Sequence, residues 1–449
     1  MAVFRVAIVG AGPAGIFVAD LLRNSERSFE VSIDLFDQLP APYGLVRYGV
    51  APDHPRIKGI VNSLRQVIDD DEIRLLGNVC YGRDITLTDL KRHYHAVIFT
   101  TGATKDARLT IQGADLPGSF GAGSFVSWYD GHPDVPRDWS LNHKAVAVIG
   151  NGNVALDVTR MLARRVNELA TTEMPKSILD QFERSQVTDI HVIGRRGPLQ
   201  VKFTPLELRE LGELPDVDIL LDENDFVSDE ASELAKATNK QTQIIDRVFT
   251  AWRSREPIGA NRRIHFHFHS KPIEIFGANQ VEGVRLERTE PDGEGGARGT
   301  GRTLDLPVDA VYSAIGYFGT ELPDIPFDRL RGVIPNRAGR AIDDSDQRVH
   351  GVYASGWIKR GPVGLIGATK SDAIETVQSL LSDQADWWTP SDPSPDSVTS
   401  LLKDRGVKFT TLEGWHRLDE YEIGLGAQEG RQRVKVIPRE QMVEISNNV

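Results

Sequence analysis

Two glycine-rich turns stand out as sites for chemistry: Gly10-Ala11-Gly12-Pro13-Ala14-Gly15 and Gly150-Asn151-Gly152-Asn153-Val154-Ala155, each directly behind a short apolar run. In such a turn the first glycine permits a sharp exit from a strand. The second lets a phosphate approach the backbone, and the third lets the next helix pack against the strand. Free N–H groups and the helix dipole then favour a pyrophosphate at the helix N-terminus. The third place of the second turn is Ala155, which the pattern tolerates. One such turn is a weak signal. Two on one chain, each with strand and helix patterns around it, point to two bound dinucleotides and electrons moving between them.

The next strand after each turn distinguishes the two ligands. The strand VSIDLF (31–36) ends at Asp37, about twenty residues past the glycines, where an acid accepts a hydrogen bond from a ribose hydroxyl. That suits the adenosine of FAD or of NAD. The strand TDIHVIG (188–194) runs into Arg195 and Arg196. A carboxylate there would repel a 2′-phosphate, whereas paired guanidinium groups clamp it. The second ligand is therefore expected to be NADP(H), with Asn151, Gly152, Asn153 and Val154 at its pyrophosphate. Gly10, Gly12, Pro13, Ala14 and Gly15 are expected at the FAD.

The run IHFHFH (264–269) alternates His265, His267 and His269 with Ile264, Phe266 and Phe268. Period two places the histidines on one strand face and the apolar residues on the other. The expectation is a core strand with a polar face, and no metal site.

Cys80 is the only cysteine. No disulfide, zinc or cluster ligand set can form within the chain, and no dithiol pair can relay electrons as in the disulfide reductases that share a two-dinucleotide plan. The electrons must go to an external acceptor. A net charge of −12 argues against nucleic acid, although Arg195, Arg196, Lys202, Arg209, Lys236, Lys240, Arg247, Arg253, Arg255, Arg262 and Arg263 gather in one stretch. These predict a local basic face.

The 449 residues, 40% hydrophobic and 26% charged, suit two or three globular domains. No apolar run reaches the roughly 18–20 residues of a membrane span. The first strand begins within a few residues of the start, so no leader is expected and the location is read as cytoplasmic. Patterning predicts a strand–helix unit (4–24), a strand (31–36), a Pro/Gly-rich loop (38–56) and a helix (57–69). Short strands near 73–82 and a buried strand over 95–103 come next. The second unit opens near 144, with one helix over 157–170 and an insertion to about 187. Strands near 264–276, 281–288 and 302–314, a flexible tip at 293–301, and a surface loop (385–397) before a last helix complete it. The fold class is α/β with two Rossmann-like dinucleotide-binding domains.

Longer stretches carry a more specific signal: GLVRYGVAPDHPRIK (44–58), VIGNGNVALDV (148–158), VIGRRGPLQ (192–200), FTPLELREL (203–211) and GWIKRGPVGLIG (356–367). In these, and over nearly its whole length, the chain resembles the adrenodoxin-reductase-like NADPH–ferredoxin reductases, in particular the mycobacterial and actinobacterial members. The resemblance implies an NADP domain (104–317) inserted into a discontinuous FAD domain (1–103 and 318–449). TTGA (100–103) and SAIGY (313–317) would be the crossovers, and GVYASGW (351–357) the returning strand. It further implies Leu45, Tyr81 and Trp357 at the flavin, and backbone N–H groups of Gly364, Leu365 and Ile366 reaching it, with Gly364 also at the nucleotide. His54 and Glu210 would be catalytic, ordering water and moving a proton. Glu207 would orient the adenosine ribose or the arginines.

Two departures are visible: Asp37 stands where the family usually has Glu, and Ala107 where some members have Arg. The activity implied is ferredoxin–NADP+ reductase, passing hydride from NADPH to FAD and then single electrons to an acidic iron–sulfur ferredoxin docked on the basic face. The resemblance also implies cytochrome P450 systems as one downstream use, which the sequence itself does not address. A monomer is the expected state, with no nucleic acid or membrane partner. A flavin monooxygenase and an electron-transfer subunit of a larger complex are the alternatives. The first lacks its FxGxxxHxxx(W/P) fingerprint here, and the second the usual cysteine clusters.

Overall fold

The structure is a computed structural model that describes residues 3–226, 230–293, 296–364 and 366–448. The chain gathers into two compact units. The first comprises Met1–Lys105, Asp130–Asp134 and Tyr317–Val449, and the second Asp106–Tyr129 and Val135–Gly316. Sequence patterning did not separate the short segment Asp130–Asp134 from its surroundings. It belongs to the first unit because Lys435 Nζ donates to the Asp130 carbonyl at 2.9 Å and Arg439 forks onto Asp134.

The first unit is built on a sheet in the order Asn336–Arg337, Arg340–Ile342, Arg348–Ala354, Ala96–Phe99, Val3–Val9, Glu30–Phe36, Ile73–Leu76. The last five of these strands run parallel. Strand Val3–Val9 is buried from Phe4 onward, as a parallel strand covered on both faces must be. Helix Pro13–Arg23 packs against helix Ile366–Ser382 on one side of it. The loop after residue 385 leads not to one helix but to three, Pro395–Asp404, Leu412–Gln428 and Arg439–Asn447. Pro395 at the first helical turn and Thr411, whose side chain accepts the Gly414 N–H, mark two of the starts.

In the second unit the sheet runs Ser119–Gly121, Ala310–Ser313, Ala145–Ile149, Asp189–Ile193, Arg262–His267, Val217–Leu221, all parallel. A three-stranded antiparallel sheet of Ser270–Phe276, Gly283–Pro291 and Ala297–Pro307 accompanies it. Ala297–Pro307 extends through most of the tip expected to be a flexible turn; Glu294 and Gly295 of that tip lie outside the described residues. The helix expected over 157–170 is instead Asn153–Ala163, followed by a separate turn Val166–Leu169. Arg164 and Arg165 are extended, and the Arg262 guanidinium takes the carbonyls of Ala163 and Arg164. A distant cation thus satisfies the helix end that periodicity alone would have continued. Among the described residues, no helix is long and apolar enough to cross a membrane.

Ile264, Phe266 and Phe268 are buried, as their alternation requires. His269 has left the strand, with φ 49°. His265 and His267 meet a third histidine from the next strand. His191 stacks on His265 with ring centroids 4.4 Å apart, and its Nδ1 lies 2.9 Å from His267 Nε2. Burial, then the neighbouring histidines, pushes His191 down to about 3 and His267 down to about 4. The unfolded chain therefore binds protons at these two sites first. Their contribution to stability is present above the ordinary value of 6.5 and is lost as pH falls toward those folded-state values. Urea unfolding should show stability dropping between pH 7 and pH 4. In His191→Gln the drop should be shallower; an unchanged slope would exclude this pair as its source.

Candidate functional site

Strand Val3–Val9 delivers the chain to Gly10, whose φ of +116° suits glycine. A Cβ at Gly10 would lie 2.5 Å from the Thr100 carbonyl oxygen, and one at Gly15 only 2.0 Å from the Gly10 carbonyl oxygen. These two glycines are required by packing. Gly12 is different: a Cβ there would meet nothing closer than the Gly44 Cα at 3.9 Å. Gly12 caps helix Pro13–Arg23 without a side-chain hydrogen bond, and Pro13 at the first helical place has no N–H to satisfy. The turn therefore presents open space and an uncapped helix start together.

Three further segments border this turn. The Tyr43 N–H donates to the Ala11 carbonyl at 2.8 Å, which brings Gly44 and Leu45 beside it, and half-buried Leu45 opens the single-turn helix Leu45–Tyr48. The Thr100 hydroxyl donates to the Gly10 carbonyl at 2.8 Å, and Thr101 Oγ1 is buried with no hydrogen-bond partner among the described residues. Strand Arg348–Ala354 then runs into Gly356, where a Cβ would lie 2.6 Å from the Ala14 Cβ. Trp357 comes next, half-buried, its ring stacked on Tyr317 at 6.3 Å. Gly364 has φ +87°, Ile366 opens helix Ile366–Ser382, and Leu365 lies outside the described residues.

Some expected residues have other duties. Asp37 is buried and accepts the N–H groups of Ala11 and Leu39 at 2.7 and 2.8 Å. Burial, partly offset by those bonds, pushes it up to about 6. It braces the glycine turn through the Ala11 N–H. Tyr81 packs edge-on to Phe99, its hydroxyl donating to the Pro323 carbonyl at 2.8 Å, so it sits within an apolar cluster of the first unit. His54 is buried at the head of the turn Pro55–Lys58. It belongs to the first unit, whereas Glu210, half-buried on helix Pro205–Leu211, belongs to the second.

The second turn repeats the first with different neighbours. A Cβ at Gly150 would lie 2.3 Å from the Ala314 carbonyl oxygen, and one at Gly152 would meet nothing within 4 Å. Ala155 is fully buried in the place of the third glycine, and Gly152 caps helix Asn153–Ala163 without a side-chain bond. Asn151 Oδ1 is buried without a partner among the described residues. The Asn151 carbonyl accepts the Lys202 N–H at 2.7 Å, and Asn153 Oδ1 accepts the Thr204 N–H at 2.8 Å. These bonds seat helix Pro205–Leu211 beside the turn. Val154 lies in the first turn of helix Asn153–Ala163.

Glu207 is buried and pairs with Arg160 at 3.3 Å, which also takes Asp157 at 2.7 Å. Sequence reasoning missed Arg160; its i,i+3 spacing from Asp157 in VALDVTR was the available signal. Arg195 is exposed and forms no ion pair among the described residues, while Arg196 is half-buried.

The basic stretch is thinner than composition suggests. Lys236 pairs with Asp246 at 2.7 Å, Arg263 with Asp189 at 2.6 Å, and Arg253 with Glu223. Lys202, Arg209, Lys240 and Arg247 remain exposed, without ion pairs among the described residues.

Comparison with known proteins gives a consistent result. A family described as "Pyridine nucleotide-disulphide oxidoreductase" matches residues 4–191. The chain is 39% identical to the NADPH-ferredoxin reductase FprA of Mycobacterium leprae over 97% of its length and 96% of that protein's. It is 37% identical to the mitochondrial NADPH:adrenodoxin oxidoreductase of Bos taurus, over 98% and 92%. The solved structure of Mycobacterium tuberculosis FprA in complex with NADPH superposes with a TM-score of 0.92 at 37% identity, each chain fully covered. The chain therefore belongs to the family of NADPH–ferredoxin reductases and adrenodoxin reductases.

Proposed function

We propose that the chain is an NADPH–ferredoxin reductase that holds FAD on its first unit and NADP(H) on its second. One recurring observation carries the site assignment: each glycine turn combines an uncapped helix start with an open glycine, and a buried polar atom without a partner among the described residues lies in the second turn (Asn151 Oδ1) and, for the first, beside Thr100, which bonds that turn (Thr101 Oγ1). A pyrophosphate supplies what both turns lack. In this reading the FAD domain is the first unit, so the expected bounds of 1–103 and 318–449 gain residues 104–105, 130–134 and 317, and the NADP domain is the second unit, 106–129 and 135–316. FAD, held there, would supply the two-electron to one-electron conversion between NADPH and an iron–sulfur acceptor.

The chain's own groups then have defined work. Gly10, Gly12, Pro13, Ala14 and Gly15 present backbone to the FAD pyrophosphate. Asp37 keeps that turn in place and faces the adenosine ribose. Leu45 and Trp357 flank the flavin, with Gly364 and Ile366 contributing backbone. Asn151, Gly152, Asn153 and Val154 take the NADP pyrophosphate, and Arg195 with Arg196 takes the 2′-phosphate. Glu207, paired with Arg160, orients the adenosine ribose or the arginines. His54 and Glu210 would order water and move the proton taken up or released when the flavin changes redox state; hydride transfer itself needs no side-chain acid or base. Anaerobic titration of the holoprotein with NADPH tests the first half: bleaching of the flavin band at one equivalent is expected. NADPH-driven cytochrome c reduction that depends on an added ferredoxin tests the second.

The acceptor in this reading is acidic and docks on exposed cations, with Arg209, Lys240 and Arg247 as candidates and Lys236 excluded by its bond to Asp246. Exposed attraction of this kind is screened over about 8–10 Å at physiological salt. Ferredoxin-coupled turnover should fall as salt rises, mainly through the association rate, while ferricyanide reduction holds. Arg209→Glu or Lys240→Glu should weaken the first reaction and spare the second. A flat salt profile with ferredoxin would remove this docking face.

A further inference from the structure

We infer that Asp372, locked by Lys359, is a positioning residue that sets the Gly356–Trp357 turn against the flavin-binding end of the first unit. The inference rests on the reading of that unit as the FAD site. Asp372 lies on helix Ile366–Ser382, and its side chain is only 8% exposed. Its Oδ2 accepts the Gly356 N–H and, at 3.3 Å, the Ser355 hydroxyl. Its Oδ1 lies 2.8 Å from Lys359 Nζ, a buried ammonium that also reaches Glu375 Oε2 at 2.5 Å and Thr376 Oγ1 at 3.3 Å. One turn further along the helix, the Thr376 hydroxyl donates to the Ala354 carbonyl at 3.0 Å. Ala354, Ser355 and Gly356 are thus tied in succession to one helix face.

The tie matters because of what Gly356 touches. Its φ is +76°, and a Cβ there would lie 2.6 Å from the Ala14 Cβ, inside the first turn of the helix that Gly12 leaves uncapped. Any shift of Gly356 moves a wall of that opening and the Trp357 ring with it. A buried ion pair is a poor source of net stability, since losing hydration costs several kcal/mol per ion in order of magnitude. Its directed bonds, however, fix a geometry. Here they fix a backbone N–H at a turn whose conformation a glycine alone would leave loose.

The experiment compares wild type, Asp372→Ala, Asp372→Asn and Lys359→Met as FAD-loaded proteins. It reads the visible flavin spectrum, FAD affinity by titration of apoprotein, thermal midpoint, and stopped-flow reduction by NADPH. In Asp372→Ala the reduction rate at saturating NADPH should fall about 10- to 100-fold, the cost of a misplaced reacting partner, with the apparent KM for NADPH near wild type. The flavin band should shift and FAD should bind more weakly. Asp372→Asn keeps an acceptor for the Gly356 N–H and should recover most of the loss. Lys359→Met should fall between the two. If Asp372→Ala does not fold, a shifted spectrum and slower reduction in the other two variants support the inference. Lower thermal midpoints with wild-type spectra, FAD affinity and reduction rates would overturn it. A wild-type chain that binds no FAD would overturn the FAD assignment itself, a result distinct from any difference among variants.

Discussion

Gly12→Val should fold normally and purify without FAD. Gly12 has φ −77° and ψ −178°, extended backbone that any residue adopts, and beyond its chain neighbours a Cβ there would meet nothing nearer than the Gly44 Cα at 3.9 Å. The protein gives valine room; the space it fills is the space a pyrophosphate needs above the helix N-terminus. NADPH-dependent activity should be lost with the flavin, while circular dichroism and unfolding stay near wild type. Gly10→Val and Gly15→Val are the contrast. Their side chains collide with backbone at 2.5 and 2.0 Å, so these variants should misfold rather than merely lose cofactor. Gly152→Val is the matched control, with nothing within 4 Å of its Cβ. It should stay yellow and lose reduction by NADPH. A yellow Gly12→Val protein would move the FAD away from this turn.

Neutralising Arg195 and Arg196 together should abolish the preference for NADPH. Each charge-assisted contact to a phosphate is worth about 1.5–3 kcal/mol, and exposure of Arg195 favours the low end. Two contacts at that end amount to a fall on the order of 100-fold in kcat/KM for NADPH. NADH lacks the phosphate and should change by less than about threefold. Steady-state kinetics with both nucleotides gives the answer directly. Equal losses would show that the pair does not read the 2′-phosphate.

Local spacing made the chemistry of this chain legible. Both glycine turns, the acid after one and the arginines after the other lie within short stretches, where strand, turn and helix arise from chain geometry alone. The alternation of Ile264, Phe266 and Phe268 likewise identified the buried face of their strand. Less visible was anything that depends on a partner far along the chain. Helix Asn153–Ala163 stops where it does because Arg262 covers its last carbonyls, and no pattern near residue 163 records that. Lys236 reads as a free cation until Asp246 is found beside it.

The sequence by itself therefore determined the two glycine-rich turns and the external fate of the electrons, since a single cysteine permits no internal relay, and it motivates the proposal of which dinucleotide each turn takes. Tertiary structure decided how the residues share the work. Asp37 became a brace for the turn as well as a candidate ribose acceptor, Glu207 became the partner of a buried Arg160, and Asp372 was brought to the Gly356 N–H. The reason is physical. Backbone conformation answers to neighbours a few residues away, whereas a buried charge must find its hydrogen-bonding partner wherever the fold brings one, and sequence spacing carries no record of that distance.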